Sequence, residues 1–600
     1  MLLRLRSSHK VLLLPVCLAA GLSQLALAGD SPLPKEVPPR RSTQLSDGFG
    51  VNLPLPRNPR LPWNRRWWTR VADSGVKWVR LGQYENSSEK TGWDWVEQRP
   101  GVYQVLPEVD EAVRSLTDNG VSIELQLCYG NPLYQGDRAS RPKHVDPASS
   151  GIGDQDDPAP AIFRGLITED EIQGFLNYTQ FMVNRYKKKI QGWELWNEPN
   201  IEYWQPHGAA NELLAAKGKQ YGTVLCRFAD IVHRIDPQNK VIFGGTSSID
   251  AVFVQAAISS CPSKIDVMAY HAYPGYGSNH APEEADALVG AGSFRESVLR
   301  FPGIRKDIEF WDSEWNVIPS WKNSNESVQA RYLPRYYLQA KAQGVEGFLW
   351  EFIPGTDGSE GDQYGLVHGD TSSADAFQPR QAYRAFEVTS ALFGQTDRDL
   401  MAEVVQDRSP SIPEKYSHGE LKQYCFRDRV SGKPVYAVWM AVYAAPEDRF
   451  EPVTVEIPIP DRQIQNPILI DVRTGKVKPA TWRDKDARTI AVDVRDSVTA
   501  VADASYLDWP QAPEAPAELV AKLSGGQVQL EWKGYDKTGG FELQRSADWG
   551  AWQKVAELKP GQTRCSEPSP RGKHITYRVR AVGQSVPSVW SNPAWVDETR

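Results

Sequence analysis

The chain has 600 residues, of which 40% are hydrophobic and 24% are charged, and its net charge at pH 7 is −7. This length is too great for a single hydrophobic core and indicates about three to four domains. The slight excess of acidic residues argues against a nucleic-acid partner, because nucleic-acid-binding surfaces are basic. The 21 Trp and 23 Tyr residues suit a protein core, and they also suit a sugar-binding groove in which aromatic rings stack on pyranose rings.

The first 28 residues have the features of a secretory signal peptide. Three basic residues precede an apolar run that ends in Ala26-Leu27-Ala28, a typical cleavage site. The run is short for a transmembrane anchor, which is the weaker alternative, and no later segment is apolar and long enough to span a bilayer. We therefore predict a secreted protein, extracellular or periplasmic. Its mature form has a net charge of −10, because cleavage removes three basic residues and no acidic ones.

The cysteines give little guidance about structure. Five remain after cleavage, and they are scattered, with no CxxC pair and no Cys/His cluster: Cys128, Cys226, Cys261, Cys425 and Cys565. This pattern excludes a disulfide framework and a zinc site, so we expect no metal and no cofactor. Export would permit one disulfide, but the sequence does not name the pair.

The chain order of the predicted elements indicates an α/β fold. Residues 29–45 are Pro-rich and are predicted to form a linker. From 46 to 395, eight apolar runs alternate with amphipathic stretches, which predicts a parallel sheet and, with eight pairs, a (β/α)8 TIM barrel. An open doubly wound sheet is the alternative, although no GxGxxG follows its first strand. The predicted strands are GFGVNL, VKWVRLG, VSIELQLCYG, IQGWELWN, KVIFGG, IDVMAYHAY, DIEFWDSEW and VEGFLWEFIPG.

Two further domains are predicted after the barrel. Residues 396–508 contain short alternating strands separated by turn residues, which indicates a β-sandwich. Residues 509–517 are rich in Pro and Ala and are predicted to be a linker. Residues 518–600 resemble a fibronectin type III domain, in which Trp532 matches the core Trp of an early strand and Tyr577 the Tyr before a later one. Such a module implies a spacer, or a contact with polysaccharide or protein.

Polar residues stand at the ends of three predicted barrel strands. Strand four ends in Asn197-Glu198, strand six in the segment Tyr270 to Tyr273, and strand seven near Glu314. Reactive groups of such barrels lie at the carboxyl ends of the strands, so Glu198 and Glu314 should face each other across the barrel mouth. One Glu alone would more simply be a surface salt bridge, but two carboxylates so placed suit glycoside hydrolysis.

The segments WELWNEPN and FWDSEWN together resemble the glycoside hydrolases of clan A, most closely family 39. The resemblance covers the barrel and extends to the β-sandwich that commonly follows it. It implies a retaining β-glycosidase that acts on an oligosaccharide or polysaccharide, with Glu198 as acid/base and Glu314 as nucleophile. Retention implies carboxyl groups about 5–5.5 Å apart and a covalent glycosyl-enzyme.

The same resemblance implies roles for four polar residues. Asn197 would hydrogen-bond the sugar 2-hydroxyl, an interaction that strengthens in the transition state. His271 and Tyr273 match a His-x-Tyr that several clan A families have on strand six, and Tyr273 would hydrogen-bond Glu314. Arg80 would hold Glu314 ionised by its charge. Core packing for Tyr273 and a strand-end ion pair for Arg80 are the structural alternatives.

Two tryptophans complete the predicted binding site. Trp350, at strand eight, would stack under the sugar, and Trp204, just beyond the acid/base, would contact the leaving group; barrel packing is the alternative for Trp350. A different functional class also fits the sequence: a carbohydrate-binding or matrix-associated protein that uses the same groove without catalysis. Both Glu positions are intact, which favours the enzyme.

Overall fold

The computed structural model describes most of the chain, and everything below concerns those residues alone. They are 33–53, 67–82, 91–135, 165–201, 204, 211–275, 277–284, 294–352, 364–368, 378–403, 419–486, 488–534 and 539–597. The predicted signal peptide, residues 1–28, lies outside them.

Eight parallel strands close into a barrel, which confirms the predicted fold class. They pair in chain order from β1 to β8, with β8 back against β1. Nearly all of their side chains are buried and most are apolar, as a barrel wrapped by helices requires. The strands are β1 (Gly50–Asn52), β2 (Trp78–Leu81), β3 (Ser122–Leu127), β4 (Gly192–Leu195), β5 (Lys240–Ile242), β6 (Val267–His271), β7 (Glu309–Trp315) and β8 (Val345–Leu349).

Helices alternate with the strands, and a helix named below follows each barrel strand except β6. The α3 helix begins at a capping box, in which Thr168 and Glu171 each accept a hydrogen bond from the other's backbone N–H. No described helix combines the length and the apolar character needed to cross a membrane. The longer barrel helices are α1 (Trp67–Asp73), α2 (Pro107–Asp118), α3 (Glu169–Arg185), α4 (Asn211–Ile235), α5 (Ala251–Ile258), α6 (Glu326–Ala342) and α7 (Gln381–Phe393).

The described part of the predicted N-terminal linker, residues 33–45, is packed rather than free, which corrects the sequence prediction. Val37 and Leu45 are buried, and the Ser42 hydroxyl donates to the carbonyl oxygen of Ala72 at 2.9 Å. Arg40 pairs with Asp428 in the second domain. The prolines therefore stiffen an extended strap that joins barrel and sandwich, because Pro suits extended backbone as well as flexible linkers.

The second domain consists of two antiparallel sheets. One sheet has the order β9-β10-β11-β17-β13-β14 and the other β12-β16-β15. The strands are β9 (Thr396–Arg398), β10 (Glu420–Asp428), β11 (Pro434–Ala441), β12 (Val453–Pro458), β13 (Pro467–Asp471), β14 (Val477–Pro479), β15 (Trp482–Asp484), β16 (Thr489–Val494) and β17 (Thr499–Asp503).

Two arginines of α6 fasten this domain to the barrel. Arg331 pairs with Asp496 at 2.6 Å, and Arg335 donates to the carbonyl oxygens of Val442 and Asp496 while it pairs with Glu283. Both arginines are almost fully buried. Since a buried charge is tolerated only with such partners, the two domains form one packed unit.

The C-terminal domain has a three-stranded sheet, β18-β19-β22, and a four-stranded sheet, β21-β20-β23-β24. Trp532 and Tyr577 are both in its core, and its fibronectin type III character stays a prediction. The strands are β18 (Ala517–Ser524), β19 (Gln527–Lys533), β20 (Phe541–Ala547), β21 (Gln553–Leu558), β22 (Arg564–Pro568), β23 (His574–Ala581) and β24 (Ala594–Asp597).

This domain is docked on the barrel through a stacked arginine. The Arg578 guanidinium lies 4.1 Å from the ring centre of Trp552 and 4.0 Å from that of Trp590, and it pairs with Asp118 of α2 at 2.6 Å. In the predicted linker 509–517, the Trp509 indole donates to the carbonyl oxygen of Pro39. The contacts are specific, so the domain is held in a fixed position; its predicted role in contacting polysaccharide or protein stays a prediction.

Cys226 of α4 and Cys261, just after α5, form a disulfide. The bridge closes a loop of 35 residues, and closing such a loop removes entropy from the unfolded chain worth about 3–4 kcal/mol. We expect Cys226→Ser with Cys261→Ser to lower the free energy of barrel unfolding by about 2–4 kcal/mol in urea titrations. Cys565→Ser, which removes a free thiol, is the control. Equal stability of the two variants would contradict the prediction.

Candidate active site

The two predicted catalytic carboxylates meet at the carboxyl end of the barrel. Glu198 follows β4 and Glu314 lies near the end of β7. One carboxylate oxygen of each, together with a ring nitrogen of His271, lie within 4.8 Å of one another. Glu198 has 17% of its side chain exposed and Glu314 has 7%. Glu198 therefore lies nearer the solvent, and Glu314 deeper in the barrel.

The turn after β4 explains how Asn197 and Glu198 point into the barrel mouth. Trp196 and Glu198 have φ angles of 70° and 42°, in the left-handed region that non-glycine residues rarely adopt. The Glu198 N–H donates to the carbonyl oxygen of Gly245 at 2.9 Å, which ties the turn to the segment that follows β5. Each such residue costs on the order of 1–3 kcal/mol, and strain of this kind concentrates at functional sites.

Glu314 is held by three side chains from two other strands: Arg80 on β2, and His271 and Tyr273 at the end of β6. The Arg80 Nη1 atom donates to its Oε1 at 2.8 Å, and the Tyr273 hydroxyl donates to its Oε2 at 3.0 Å. Burial raises the pKa of Glu314, whereas His271 and Arg80 lower it, and the net direction is upward. Burial likewise raises the pKa of Tyr273, aided by Glu314, so this hydroxyl keeps its proton and remains a donor.

His271 bridges the two carboxylates. Its Nδ1 lies 3.0 Å from Glu198 Oε1 and 3.3 Å from Glu314 Oε1. Burial lowers the pKa of His271 to about 4, so the ring is neutral near pH 7, and the proton belongs on Nδ1, where both acceptors are. The ring packs on Gly245, where an added Cβ would come within 2.1 Å of Nε2. Only glycine fits there, a requirement that sequence reasoning missed.

His271 should make stability depend on pH. Its pKa is about 6.5 in the unfolded chain and about 4 in the folded one, so the unfolded state binds more protons between these values. The free energy of unfolding is then highest above pH 6.5 and falls towards pH 4, by up to about 3 kcal/mol. We expect His271→Gln to lose less stability over this window than the unsubstituted protein, measured by urea unfolding at each pH. Parallel pH curves would contradict the prediction.

Arg80 is itself fixed by a second carboxylate, that of Glu194 on β4. Its Nε and Nη2 atoms donate to the two Glu194 oxygens at 2.7 and 3.0 Å, and Nη2 also donates to Asn197 Oδ1 at 3.1 Å. Burial lowers the pKa of Arg80, but Glu194 and Glu314 more than offset this, and the net direction is upward. The cation is therefore permanent and rigidly oriented.

Sequence reasoning missed three residues that build this arrangement: Glu194, Gln126 and Asn52. The side-chain amide of Gln126 makes two hydrogen bonds here, since its Nε2 donates to the Trp196 carbonyl oxygen at 2.9 Å and to Glu194 Oε2 at 3.2 Å. Asn52 Oδ1 accepts from Arg80 at 3.2 Å. The sequence feature that could have identified them is a polar residue within an otherwise apolar strand. A buried parallel sheet tolerates such a residue only when its polar atoms have hydrogen-bond partners.

The two predicted tryptophans occupy different environments. Trp350 follows β8 and is half-buried, and its carbonyl oxygen accepts a hydrogen bond from Asn316. Trp204 is fully buried and packs edge-on against Trp196, with ring centres 5.0 Å apart. The predicted contacts of Trp350 with sugar and of Trp204 with a leaving group stay predictions, and the burial of Trp204 favours a packing role.

The group of Glu198, His271 and Glu314 could also hold a cation, because it offers two carboxylate oxygens and one imidazole nitrogen within 4.8 Å. Against this, the Arg80 guanidinium lies 2.8 Å from Glu314 and already supplies positive charge. The expectation that no metal is required stays a prediction.

Comparison with solved structures identifies similar folds. A family 39 glycoside hydrolase from Bacteroides cellulosilyticus superposes with a TM-score of 0.53 at 17% identity, over 76% of this chain and 81% of the other. The likeness establishes the fold. A family 51 α-L-arabinofuranosidase from Bifidobacterium longum gives 0.46 at 13% identity, over 78% and 96% of the two chains. No protein-family model matches the sequence, and no curated protein is similar to it.

Proposed function

We propose that the protein is a glycoside hydrolase that cleaves β-glycosidic bonds of an oligosaccharide or polysaccharide with retention of configuration. The observation that carries this proposal is that one carboxylate oxygen of Glu198 and one of Glu314 lie within 4.8 Å of each other at the barrel mouth. Retaining enzymes need about 5–5.5 Å between the two groups, whereas inverting enzymes need about 6.5–9.5 Å to admit a water. The spacing and the fold together favour the retaining class.

In the first step, Glu314 attacks the anomeric carbon and forms a carbon–oxygen bond to it. The bond from that carbon to the leaving oxygen breaks, and Glu198 gives its proton to this oxygen. Arg80 and Tyr273, at 2.8 and 3.0 Å from the Glu314 oxygens, favour the ionised form of the attacking group. The more exposed position of Glu198 suits exchange of its proton with solvent.

In the second step, water attacks the anomeric carbon and the bond to Glu314 breaks. Glu198, now ionised, takes the proton from the water, which restores both carboxyl groups. The Nδ1 atom of His271 lies close to both carboxylates. Its N–H can therefore donate to whichever carboxylate is ionised, while the ring itself stays neutral. Asn197, which precedes Glu198 and whose Oδ1 accepts from Arg80 at 3.1 Å, would contact the sugar 2-hydroxyl.

We also infer that the protein works outside the cytoplasm. The first 28 residues have signal-peptide features, and the Cys226–Cys261 disulfide is of a kind that persists in oxidising compartments. Mass spectrometry of the exported protein, with identification of the N-terminal residue, tests this inference. An N-terminus at Met1 on a protein that stays in the cytoplasm would contradict it.

The direct test of the function is turnover of a panel of aryl β-glycosides and of plant and bacterial glycans. Proton NMR of the first-formed product should show the β-anomer, which later equilibrates. A first-formed α-anomer would contradict retention. Binding of glycans without turnover by any panel member would favour the alternative, a carbohydrate-binding protein on the same barrel.

A further inference from the structure

A second pair of carboxyl groups lies behind Arg80, on the side away from the barrel mouth. Glu124 of β3 and Glu194 of β4 are both completely buried. The two Glu194 oxygens accept hydrogen bonds from Arg80 Nε and Nη2 at 2.7 and 3.0 Å. Glu124 Oε1 lies 3.8 Å from Arg80 Nε. The proposed mechanism uses neither carboxyl group.

The charges around Arg80 do not balance if every carboxyl group is ionised. One guanidinium from β2 would then face three carboxylates, those of Glu124, Glu194 and Glu314 on β3, β4 and β7. Burying an unpaired anion costs several kcal/mol, so such a group takes up a proton instead. At least one of the three groups must therefore be neutral.

The hydrogen bonds identify which group is neutral. Glu194 accepts from Arg80, from Gln126 Nε2 at 3.2 Å and from the Gly245 N–H at 2.8 Å, and such donors favour the ionised form. Neither oxygen of Glu124 accepts a hydrogen bond from any described residue. Burial, reinforced by Glu194, raises the pKa of Glu124 well above its usual value. A protonated Glu124 becomes the donor, and its neighbour Glu194 is the acceptor.

We propose that Glu124 and Glu194 form a buried carboxylic acid–carboxylate pair that holds one proton and fixes Arg80 as the cationic partner of Glu314. This inference deepens the proposed function, on which its kinetic consequences rest. Both groups are positioning residues, since they act through Arg80. The pair keeps a single negative charge behind the guanidinium, so Arg80 Nη1 keeps its charge-assisted hydrogen bond to the attacking carboxylate of Glu314.

If the two groups share one proton, either carboxyl group can carry the negative charge beside Arg80 when the other is replaced by Gln. In Glu194→Gln the proton leaves Glu124, which becomes the anion beside Arg80; in Glu124→Gln the anion is Glu194, as before. We expect Glu124→Gln to keep kcat/KM within about threefold and Glu194→Gln to lower it about tenfold. The double variant has no anion behind Arg80, and its loss should exceed the product of the single losses by at least tenfold. Multiplicative losses would overturn the proposal.

Infrared difference spectra test the proton without any substrate. The spectrum of the unsubstituted protein minus that of Glu124→Gln at neutral pH should contain the carbonyl band of one protonated carboxylic acid, shifted in deuterium oxide. The spectrum of the unsubstituted protein minus that of Glu194→Gln should contain the same carbonyl band, because Glu124 loses its proton in that variant. Glu171→Gln, which alters a buried carboxyl group in the α3 cap, is the control and should lack it. Absence of the band in both single-variant spectra would overturn the pair, whatever the protein hydrolyses.

Discussion

Replacing Glu314 by Gln is expected to lower kcat on an aryl β-glycoside by about 10⁴-fold or more, equivalent to about 5 kcal/mol of activation free energy. The amide cannot form the bond to the anomeric carbon, although it keeps the size of the side chain and can still face Arg80 and Tyr273. Initial rates with an activated aryl leaving group provide the measurement, and circular dichroism checks that the variant is folded.

The control lies on the same strand. Glu309 is at the opposite end of β7, pairs with Lys240 and has 43% of its side chain exposed, so Glu309→Gln should leave kcat within about twofold. A 2-fluoro glycoside should label one peptide, and that peptide should contain Glu314. A label on any other peptide, or full activity of Glu314→Gln, would refute the assigned nucleophile.

Replacing Arg80 by Met should damage both stability and catalysis. The substitution removes the guanidinium that pairs with the buried carboxyl groups of Glu124, Glu194 and Glu314. Breaking a buried charge network of this kind costs about 3–5 kcal/mol of unfolding free energy. Loss of a preorganised charge beside the nucleophile should lower kcat/KM by about 10²–10³-fold. Urea unfolding and steady-state kinetics measure the two effects.

The pH profile separates these effects of Arg80→Met from a general loss of folding. Without the guanidinium, the pKa of Glu314 rises, so the acidic limb of kcat/KM should move to higher pH. The control is Arg185→Met, which breaks a partly exposed pair with Asp110 and should cost at most about 1 kcal/mol. An unmoved acidic limb in Arg80→Met would contradict the role of Arg80 in holding Glu314 ionised.

The domain architecture followed from patterns that are local in sequence. Eight apolar runs separated by helical stretches lead to one closed barrel, because parallel strands need crossover helices and a buried sheet needs both faces covered. The sequence did not predict that the strap at 33–45 is packed against the folded domains. A Pro-rich sequence suits an extended segment whether it is packed on a domain or exposed to solvent. The pairing of Arg578 in the C-terminal domain with Asp118 of α2 joins residues of separate domains, which no local pattern relates.

The sequence by itself determined the barrel, the strand ends and the two candidate carboxylates, because strand period and chain order fix which residues reach the mouth. Only the tertiary structure decided how those carboxylates are tuned. The left-handed turn at Trp196 and Glu198, the glycine under His271 and the buried carboxyl pair behind Arg80 each join residues from different strands. The pKa shifts at this site arise from burial and from charges that folding brings close together. Both depend on distances in space, which the order of residues along the chain does not give.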